Sequence, residues 1–330
     1  MSTERNIPQK IVYILLAAFN GERFIGEQIS SIRSQTYANW KLIIRDDGST
    51  DKTKDIILKH IQSDSRIKLI ESDQEQKGCV RNFAVLMAYA KKNHAEYICF
   101  SDQDDVWRSE KISILIKQME ALESHFTKTM PMLVYSDLEV VDEQLRLIYT
   151  SYMNQQRLSH PEFETLSRLL VENTVTGCAM LINRALLQIA SPIPNTIIIH
   201  DWWVALCAAM TGKLYFVDKP LIKYRQHQNN TIGLTSYSQI FNPRRFLVLN
   251  KLIGSHRNFC NTFQQARELL NRTGDISSLE RAQYVKDFSE LELVPLKQRI
   301  ATYKDLKLSR SNRITNLLLL LHIIILRRKR

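Results

Sequence analysis

Four apolar residues, Tyr97-Ile98-Cys99-Phe100, run directly into Ser101-Asp102-Gln103-Asp104-Asp105, a segment that packs three carboxylates into four positions. A run this short and apolar reads as a buried strand, and a parallel sheet carries its functional loops at the carboxyl ends of such strands. Three carboxylates on one loop repel one another unless a hard cation or a cationic ligand is present. A divalent cation with phosphate oxygens completing its shell meets that demand, because Mg2+ takes one or two carboxylates plus substrate phosphates. The competing reading is an acidic cap, in which Asp105 and Ser109 start the helix suggested by residues 110–122.

The chain before this loop alternates strand and helix patterns. Residues 11–16 form an apolar run of strand type followed by the turn signal Ala17-Ala18-Phe19-Asn20-Gly21. Phe24, Ile25, Ile29 and Ile32 then recur at helical spacing, with Glu22 and Glu27 near the helix start, where its dipole favours anions. Residues 42–44 predict a second strand ending in Arg45-Asp46-Asp47-Gly48-Ser49-Thr50-Asp51, with Thr50 or Asp51 capping a helix that runs to His60. Turn chemistry accounts for Asp47 and Asp51 but not for Asp46, which follows a strand directly. Residues 66–71 predict a third strand, and Gly78 opens a helix with Cys79, Phe83, Leu86, Met87 and Ala90 on its apolar face. This alternation predicts an α/β domain with a mainly parallel central sheet, so that Asp46 and the Asp102 loop can face one ligand at the carboxyl edge. Neither G-x-G-x-x-G after the first strand nor G-x-x-x-x-G-K-[ST] occurs, which argues against a dinucleotide oxidoreductase and a P-loop NTPase.

The net charge of +11 is concentrated late in the 330-residue chain, where residues 301–330 hold eight Lys or Arg against one Asp. A nucleic-acid binder would spread basic and aromatic residues across the fold, so this distribution argues against nucleic acid and for an anionic membrane surface. The five cysteines, Cys79, Cys99, Cys178, Cys207 and Cys260, form no C-x-x-C pair and read as reduced thiols. With no signal-peptide pattern before the first strand, the expectation is a cytoplasmic protein, peripheral at the inner face of the cell membrane.

Further along, residues 132–135 and 179–182 read as strands and residues 138–157 as an irregular segment. Gly177, just ahead of residues 179–182, permits close backbone approach to a ligand or simply makes a turn. The β-branched run Ile197-Ile198-Ile199 leads into His200-Asp201-Trp202-Trp203 and an apolar helix over 204–210; one reading makes Asp201 an N-cap and the tryptophans core. Residues 221–225 predict a strand that delivers His227 and Asn230 into a polar loop. After Asn242-Pro243 the pattern is helical over 246–270, 278–288 and from 293 onward. Residues 317–326 are almost purely apolar but far short of the roughly 20 residues a spanning helix needs. Flanked by Arg313 and Arg327-Arg328-Lys329-Arg330, they suggest a helix lying on anionic headgroups, with burial against the rest of the chain or a homodimer seam as alternatives.

Taken in order, Ala18-Phe19-Asn20-Gly21-Glu22, the Arg45 to Asp51 segment, Arg81-Asn82 and Ser101-Asp102-Gln103-Asp104-Asp105 closely resemble the inverting family 2 glycosyltransferases of GT-A fold. Asn173-Thr174-Val175-Thr176-Gly177-Cys178, His200-Asp201-Trp202-Trp203 and Tyr224-Arg225-Gln226-His227-Gln228-Asn229-Asn230 look like the bacterial rhamnosyltransferase branch of that family. The resemblance implies a Rossmann-like GT-A nucleotide-sugar domain over residues 1–240 and a helical C-terminal region over 241–330. It implies that Ala18, Asn20, Glu22, Asp46, Arg81 and Asp102 serve the nucleotide, with Asp46 accepting the N3–H of the pyrimidine. Asp102, Asp104 and His227 would hold Mg2+ or Mn2+ on the diphosphate. Asp201 would be the general base that takes the acceptor proton, with Gly177, His200, Trp202 and Trp203 around the sugars and His200 orienting that base. The implied reaction moves L-rhamnose from dTDP-rhamnose to a lipid-linked glycan. The alternatives are a UDP-hexose donor, a sugar-phosphate nucleotidyltransferase, which would want a glycine-rich basic loop absent here, and a non-enzymatic membrane-surface scaffold.

Overall fold

The computed structural model describes residues 10–71, 77–158, 166–227 and 245–326. Strand β1 (Val12–Ala18) is followed by α1 (Ile25–Arg33), β2 (Trp40–Asp46), α2 (Thr53–Ser63), β3 (Ile67–Leu69), α3 (Cys79–Lys92) and β4 (Tyr97–Ser101). In this half, apolar runs make strands and residues at helical spacing make the covering helices, as the alternation predicts. Then come β5 (Val106–Trp107), α4 (Lys111–His125), β6 (Met132–Val141), β7 (Leu147–Tyr149), α5 (Tyr152–Gln155) and α6 (Leu166–Leu169). A 3-10 turn at Gly177–Ala179 precedes β8 (Met180–Asn183), α7 (Arg184–Ala190), α8 (His200–Thr211) and β9 (Lys213–Arg225). Four longer helices close the chain: α9 (Arg245–Thr273), α10 (Leu279–Ser289), α11 (Leu296–Asp305) and α12 (Arg313–Ile325).

Among the described residues the strands form one sheet in the order β3-β2-β1-β4-β8-β6-β9-β5, with β7 paired to β6. Strands β1 to β4 are mutually parallel, and the register Ala18↔Asp46 and Leu16↔Ser101 brings Ala18, Asp46 and Asp102 to one edge. Antiparallel β8 separates β4 from β6, so β6 and its parallel neighbour β9 again point the way β4 does. His227, just past β9, therefore reaches the edge that carries the acidic loop. Helices cover both faces of the sheet, and one apolar core runs from Leu15, Phe83 and Trp203 through Phe259 and Phe263 of α9 to Leu319 and Ile323 of α12. A second core, on the other face, gathers Ile29, Trp40, Trp107 and Leu115.

Several elements differ from the sequence expectation. Residues 138–157 are regular in large part: β6 continues to Val141, turns back as β7, and leads into α5. Strand β9 is 13 residues long rather than five, because its first half alternates exposed and partly buried positions and carries lysines that mask a strand pattern. Helix α8 starts at His200, so the His200 to Trp203 segment is its first turn and not the loop before it. Helix α4 has Glu110 and not Asp105 or Ser109 at its N-cap, since Asp105 is fully buried ahead of β5. Lys52, not Thr50 or Asp51, occupies the N-cap of α2, and Asp51 instead accepts from Thr53 N at 3.0 Å.

The C-terminal helix α12 is half-buried. Leu319, His322 and Ile323 face the core, whereas Ile314, Leu317, Leu321, Ile324 and Ile325 are exposed, Leu317 by 70%. Buried Arg299 donates to the Ile323 and Leu326 carbonyls at 3.1 and 2.8 Å, satisfying acceptors that a helix end leaves open. No described helix is long and apolar enough to cross a membrane. The basic run 327–330, the 228–230 part of the histidine motif and Asn230 with it lie outside the described residues.

Candidate active site

The loops after β1 and β2 interlock through the residues that make them distinctive. Asn20, at φ 45°, donates its N–H to Ser49 Oγ at 2.8 Å, and its side-chain oxygen accepts from Thr50 N at 2.9 Å. Gly21 N donates to Thr53 Oγ1 at 2.7 Å and Glu22 N to Asp51 at 3.0 Å, while the Glu22 carboxylate accepts from Lys52 N at 3.0 Å. Glu22 is thus an exposed brace between two loops rather than a residue lining the cavity. The Gln103 amide exchanges hydrogen bonds with the Phe19 backbone at 2.8 and 2.9 Å. A Cβ at Gly21 would lie 2.3 Å from that amide, so a larger residue there would displace the Gln103 side chain from its bonds to Phe19.

Asp46 accepts from Ser49 N at 3.1 Å and from the Ser49 hydroxyl, which orients its carboxylate at the end of β2. Asp47, assigned to turn chemistry by its sequence context, is buried, paired with Arg45 at 2.7 Å, and accepts Gly78 N at 2.6 Å, where α3 begins. Arg81 does not line the cavity; its neighbour Asn82 does, with its amide donating to the Ala18 and Arg45 carbonyls.

The acidic loop is held from beneath by two buried cations. Arg225, 2% exposed, donates its backbone N–H to Asp105 at 3.2 Å, its Nε to the Asp104 carbonyl at 2.8 Å, and its NH2 to Glu27 at 2.5 Å. Lys111 is fully buried, lies 3.1 Å from the centre of the Trp107 ring, and donates to the Cys178 carbonyl at 2.7 Å. Burial lowers its ammonium to about 8. Asp102 faces the cavity; burial, then the charges of Asp104 and Asp201, push its carboxyl up to about 7. Asp105 is raised well above the carboxylate range for the same first reason, with Asp104 and Asp102 adding to it. His227 Nε2 meets Asp104 Oδ2 at 2.8 Å, which brings the second residue of the acidic motif and the histidine after β9 to one point.

An excess of carboxylate over cation facing a cavity is what a hard divalent ion relieves. Asp102, Asp104 and His227 supply oxygen and imidazole donors suited to Mg2+ or Mn2+. The close group of candidate ligands among the described residues is a different one, one oxygen each of Asp102 and Asp105 with Cys178 Sγ, all within 4.8 Å of one another. That thiol is buried and its ionisation is pushed far up, so it suits such a cation poorly.

Asp201 lines the same cavity from the first turn of α8. Its carboxylate accepts three N–H groups: Gly177 N at 3.0 Å, the Asn173 side-chain amide at 3.0 Å, and Trp202 N at 2.6 Å. Burial raises its carboxyl to about 6 despite these donors, each of which pulls it down. A carboxylate so poised is ionised at neutral pH yet basic enough to take a proton. A Cβ at Gly177 would come 3.0 Å from His200 Nε2 and 3.3 Å from Asp201 Cβ, so glycine lets the 173–177 segment approach the helix start.

The cavity measures about 940 Å3 and is lined by Ala18, Asn20, Asp102, Asp104, Gly177, His200, Asp201, Trp202 and His227 together with Asn82, Asn173 and Tyr152. Sequence reasoning assigned no role to Asn173, Tyr152, Lys111 or Arg225, although Asn173 and Arg225 stand inside motifs it used. His200 lines the cavity stacked on Phe83 at 3.8 Å, and among the described residues neither ring nitrogen has a hydrogen-bond partner, so it does not orient Asp201 by a hydrogen bond. Burial keeps it neutral, lowering it to about 3. Trp203 is the clear correction: it is fully buried, its indole N–H bonds the Ala190 carbonyl at 2.9 Å, and it offers no face to a sugar. Trp202 borders the cavity with its N–H taken by the Leu169 carbonyl.

The sequence profile of glycosyl transferase family 2 matches residues 13–188, just over half of the chain. The dTDP-rhamnosyl transferase RfbG of Shigella flexneri is 29% identical over 245 residues, covering 72% of this chain and 80% of its own. The UDP-Glc:alpha-D-GlcNAc-diphosphoundecaprenol beta-1,3-glucosyltransferase WfgD of Escherichia coli is 30% identical over 179 residues, 54% of this chain and 62% of its own. In fold, the protein resembles the crystal structure of S. aureus TarS residues 1–349 in complex with UDP-GlcNAc, at a TM-score of 0.52 and 17% identity over 89% of this chain and 84% of that one. The architecture is the GT-A-like α/β domain with C-terminal helices that the motifs lead one to expect.

Proposed function

The protein belongs to glycosyl transferase family 2 and is a nucleotide-sugar glycosyltransferase; from that premise we propose that it is an inverting, metal-assisted enzyme that moves L-rhamnose from dTDP-rhamnose onto a lipid-linked glycan. The observation that carries the reading is a single cavity lined by Asp102, Asp104 and His227 together with the three-donor carboxylate of Asp201. Asp46, held by Ser49 at the end of β2, accepts the imide N–H of the base. Asp102, Asp104 and His227 hold Mg2+ or Mn2+, which when bound offsets the charge on the departing nucleoside diphosphate. Asp201 takes the proton of the acceptor hydroxyl as its oxygen attacks the anomeric carbon opposite the leaving group. Inversion of a β-linked donor leaves an α-rhamnoside. His200, neutral and with neither ring nitrogen paired among the described residues, presents a hydrogen-bonding edge to a sugar hydroxyl.

The named specificity of RfbG supports the rhamnosyl donor, and the acceptor in the name of WfgD supports a lipid-linked one. The exposed row Ile314, Leu317, Leu321 and Ile324 on α12, with Arg313 at its start and Arg327-Arg328-Lys329-Arg330 beyond its end, suits an anionic membrane surface. Leu317→Glu with Leu321→Glu should abolish flotation with phosphatidylglycerol vesicles while leaving the unfolding midpoint unchanged; undiminished flotation would remove the membrane assignment. Deleting α12 is the wrong test, since it would uncover Leu319 and Ile323 and strip Arg299 of two acceptors.

The testing experiment offers purified protein dTDP-rhamnose or UDP-glucose, Mn2+ and undecaprenyl-diphosphate-linked GlcNAc, and reads the product's anomeric configuration by NMR. The expected result is an α-rhamnoside. A glucoside from UDP-glucose would favour the second reading, which the WfgD likeness supports, with fold and base unchanged. Release of neither nucleotide would contradict both.

A further inference from the structure

The turn that starts α12 grips the chain one residue ahead of the cavity wall. Ser311 donates its backbone N–H at 2.7 Å and its hydroxyl at 2.5 Å to one oxygen of Glu172. Arg310 Nε donates to the Val171 carbonyl at 3.0 Å. The gripping turn is itself fixed. Asn316 bonds both the N–H and the carbonyl of Arg310, at 2.7 and 2.8 Å, and Asn312 with Thr315 forms a capping box.

Glu172 is followed at once by Asn173, whose amide donates to Asp201 at 3.0 Å, and the 173–177 run ends at Gly177, whose N–H is a second donor to the same carboxylate. Thr174 and Val175, between them, are buried, so the run has little freedom to absorb a shift at its start. Two of the three donors to Asp201 therefore hang from a segment whose near end is pinned by the C-terminal helix.

We infer that Glu172 is a positioning residue: its bonds to Ser311, with that of Arg310 to Val171, fix Asn173 and Gly177 against Asp201, so that docking of α12 is part of the catalytic apparatus. The inference rests on the proposal that Asp201 is the base and adds to it a distant structural dependence. It also gives the C-terminal helices a task beyond covering core. A helix with an apolar outer row at its surface and the base's support at its start can make turnover respond to what that outer row binds.

The test is kinetic. Glu172→Ala should lower kcat about tenfold or more while donor KM and Mn2+-dependent dTDP affinity stay native, because only the acceptor side is displaced. Glu172→Gln retains an oxygen that accepts from Ser311 and should recover most of the rate. The double variant Glu172→Ala with Asn173→Ala should lose less than the product of the two single losses, since both act in part through the Asn173 amide. If Glu172→Ala folds poorly, Arg310→Met reads the other half of the grip with the same expected split. Native kcat in both variants, or a loss that falls on donor binding, or losses that multiply with Asn173→Ala, would overturn the inference. Asp201→Asn measured in parallel separates the two claims. Residual native turnover there removes the base itself, whereas a dead Asp201→Asn beside a fully active Glu172→Ala removes only the positioning role.

Discussion

Asp102 and Asp201 face one cavity, and burial raises both carboxyls, yet they are held in opposite ways. Asp102 stands among other carboxylates, and its elevation to about 7 comes from burial reinforced by Asp104 and Asp201. Asp201 receives Gly177 N, the Asn173 amide and Trp202 N, and these donors draw it back to about 6. The first arrangement leaves negative charge unmet where a cation can enter; the second prepares one anion and aims it. In the reaction proposed above, the difference divides the labour: leaving-group chemistry at the acidic loop, proton removal at α8.

The largest effect expected from breaking this division is at Asp201. Asp201→Asn keeps the shape of the side chain and one of its two acceptor oxygens but removes the base, so transfer should fall by about 10^2- to 10^4-fold in a radiolabelled-sugar assay. Lys111→Met attacks the other side. It strips the buried Cys178 carbonyl of its donor, and should cost about 1–3 kcal/mol in urea unfolding. Asn173→Ala sharpens the comparison through pH. The wild-type kcat should fall about tenfold per pH unit below about 6 as Asp201 takes up a proton. Removing a donor that lowers this carboxyl should move the acid limb to higher pH, and an acid limb moved downward would contradict the assignment. Trp203→Phe is expected to have the smallest catalytic effect: stability lower by about 1–3 kcal/mol from the lost indole bond and volume, with kcat near native. A large loss of kcat without a loss of stability would restore Trp203 to the sugar site.

What could be read from the chain before folding follows from locality. The strand-end positions of Asp46 and Asp102 were legible because an apolar run and the polar turn after it are adjacent in sequence. The family motifs located Asp201 and His227, but not what surrounds them. Glu22 shows why: its carboxylate is spent on Lys52 N thirty residues away, a bond no local pattern announces. Trp202 and Trp203 are neighbours on one helix, so only the packing of α7 and α8 decides which one borders the cavity. Arg225 and Lys111 were invisible as buried cations because charged residues are ordinarily read as solvated; their counterparts come from β5, α1 and the 3-10 turn, which meet them only in the folded sheet. The first half of β9 was missed for a related reason, its exposed lysines hiding the strand.

The division of labour between the two carboxylate sites is tested most directly by calorimetric titration of dTDP into Asp104→Ala and Asp201→Asn, each with and without Mn2+. The account predicts that Asp104→Ala loses the metal-dependent part of the affinity while Asp201→Asn binds as tightly as the native protein with the same metal dependence. Equal loss in both variants, or metal dependence untouched in Asp104→Ala, would contradict it.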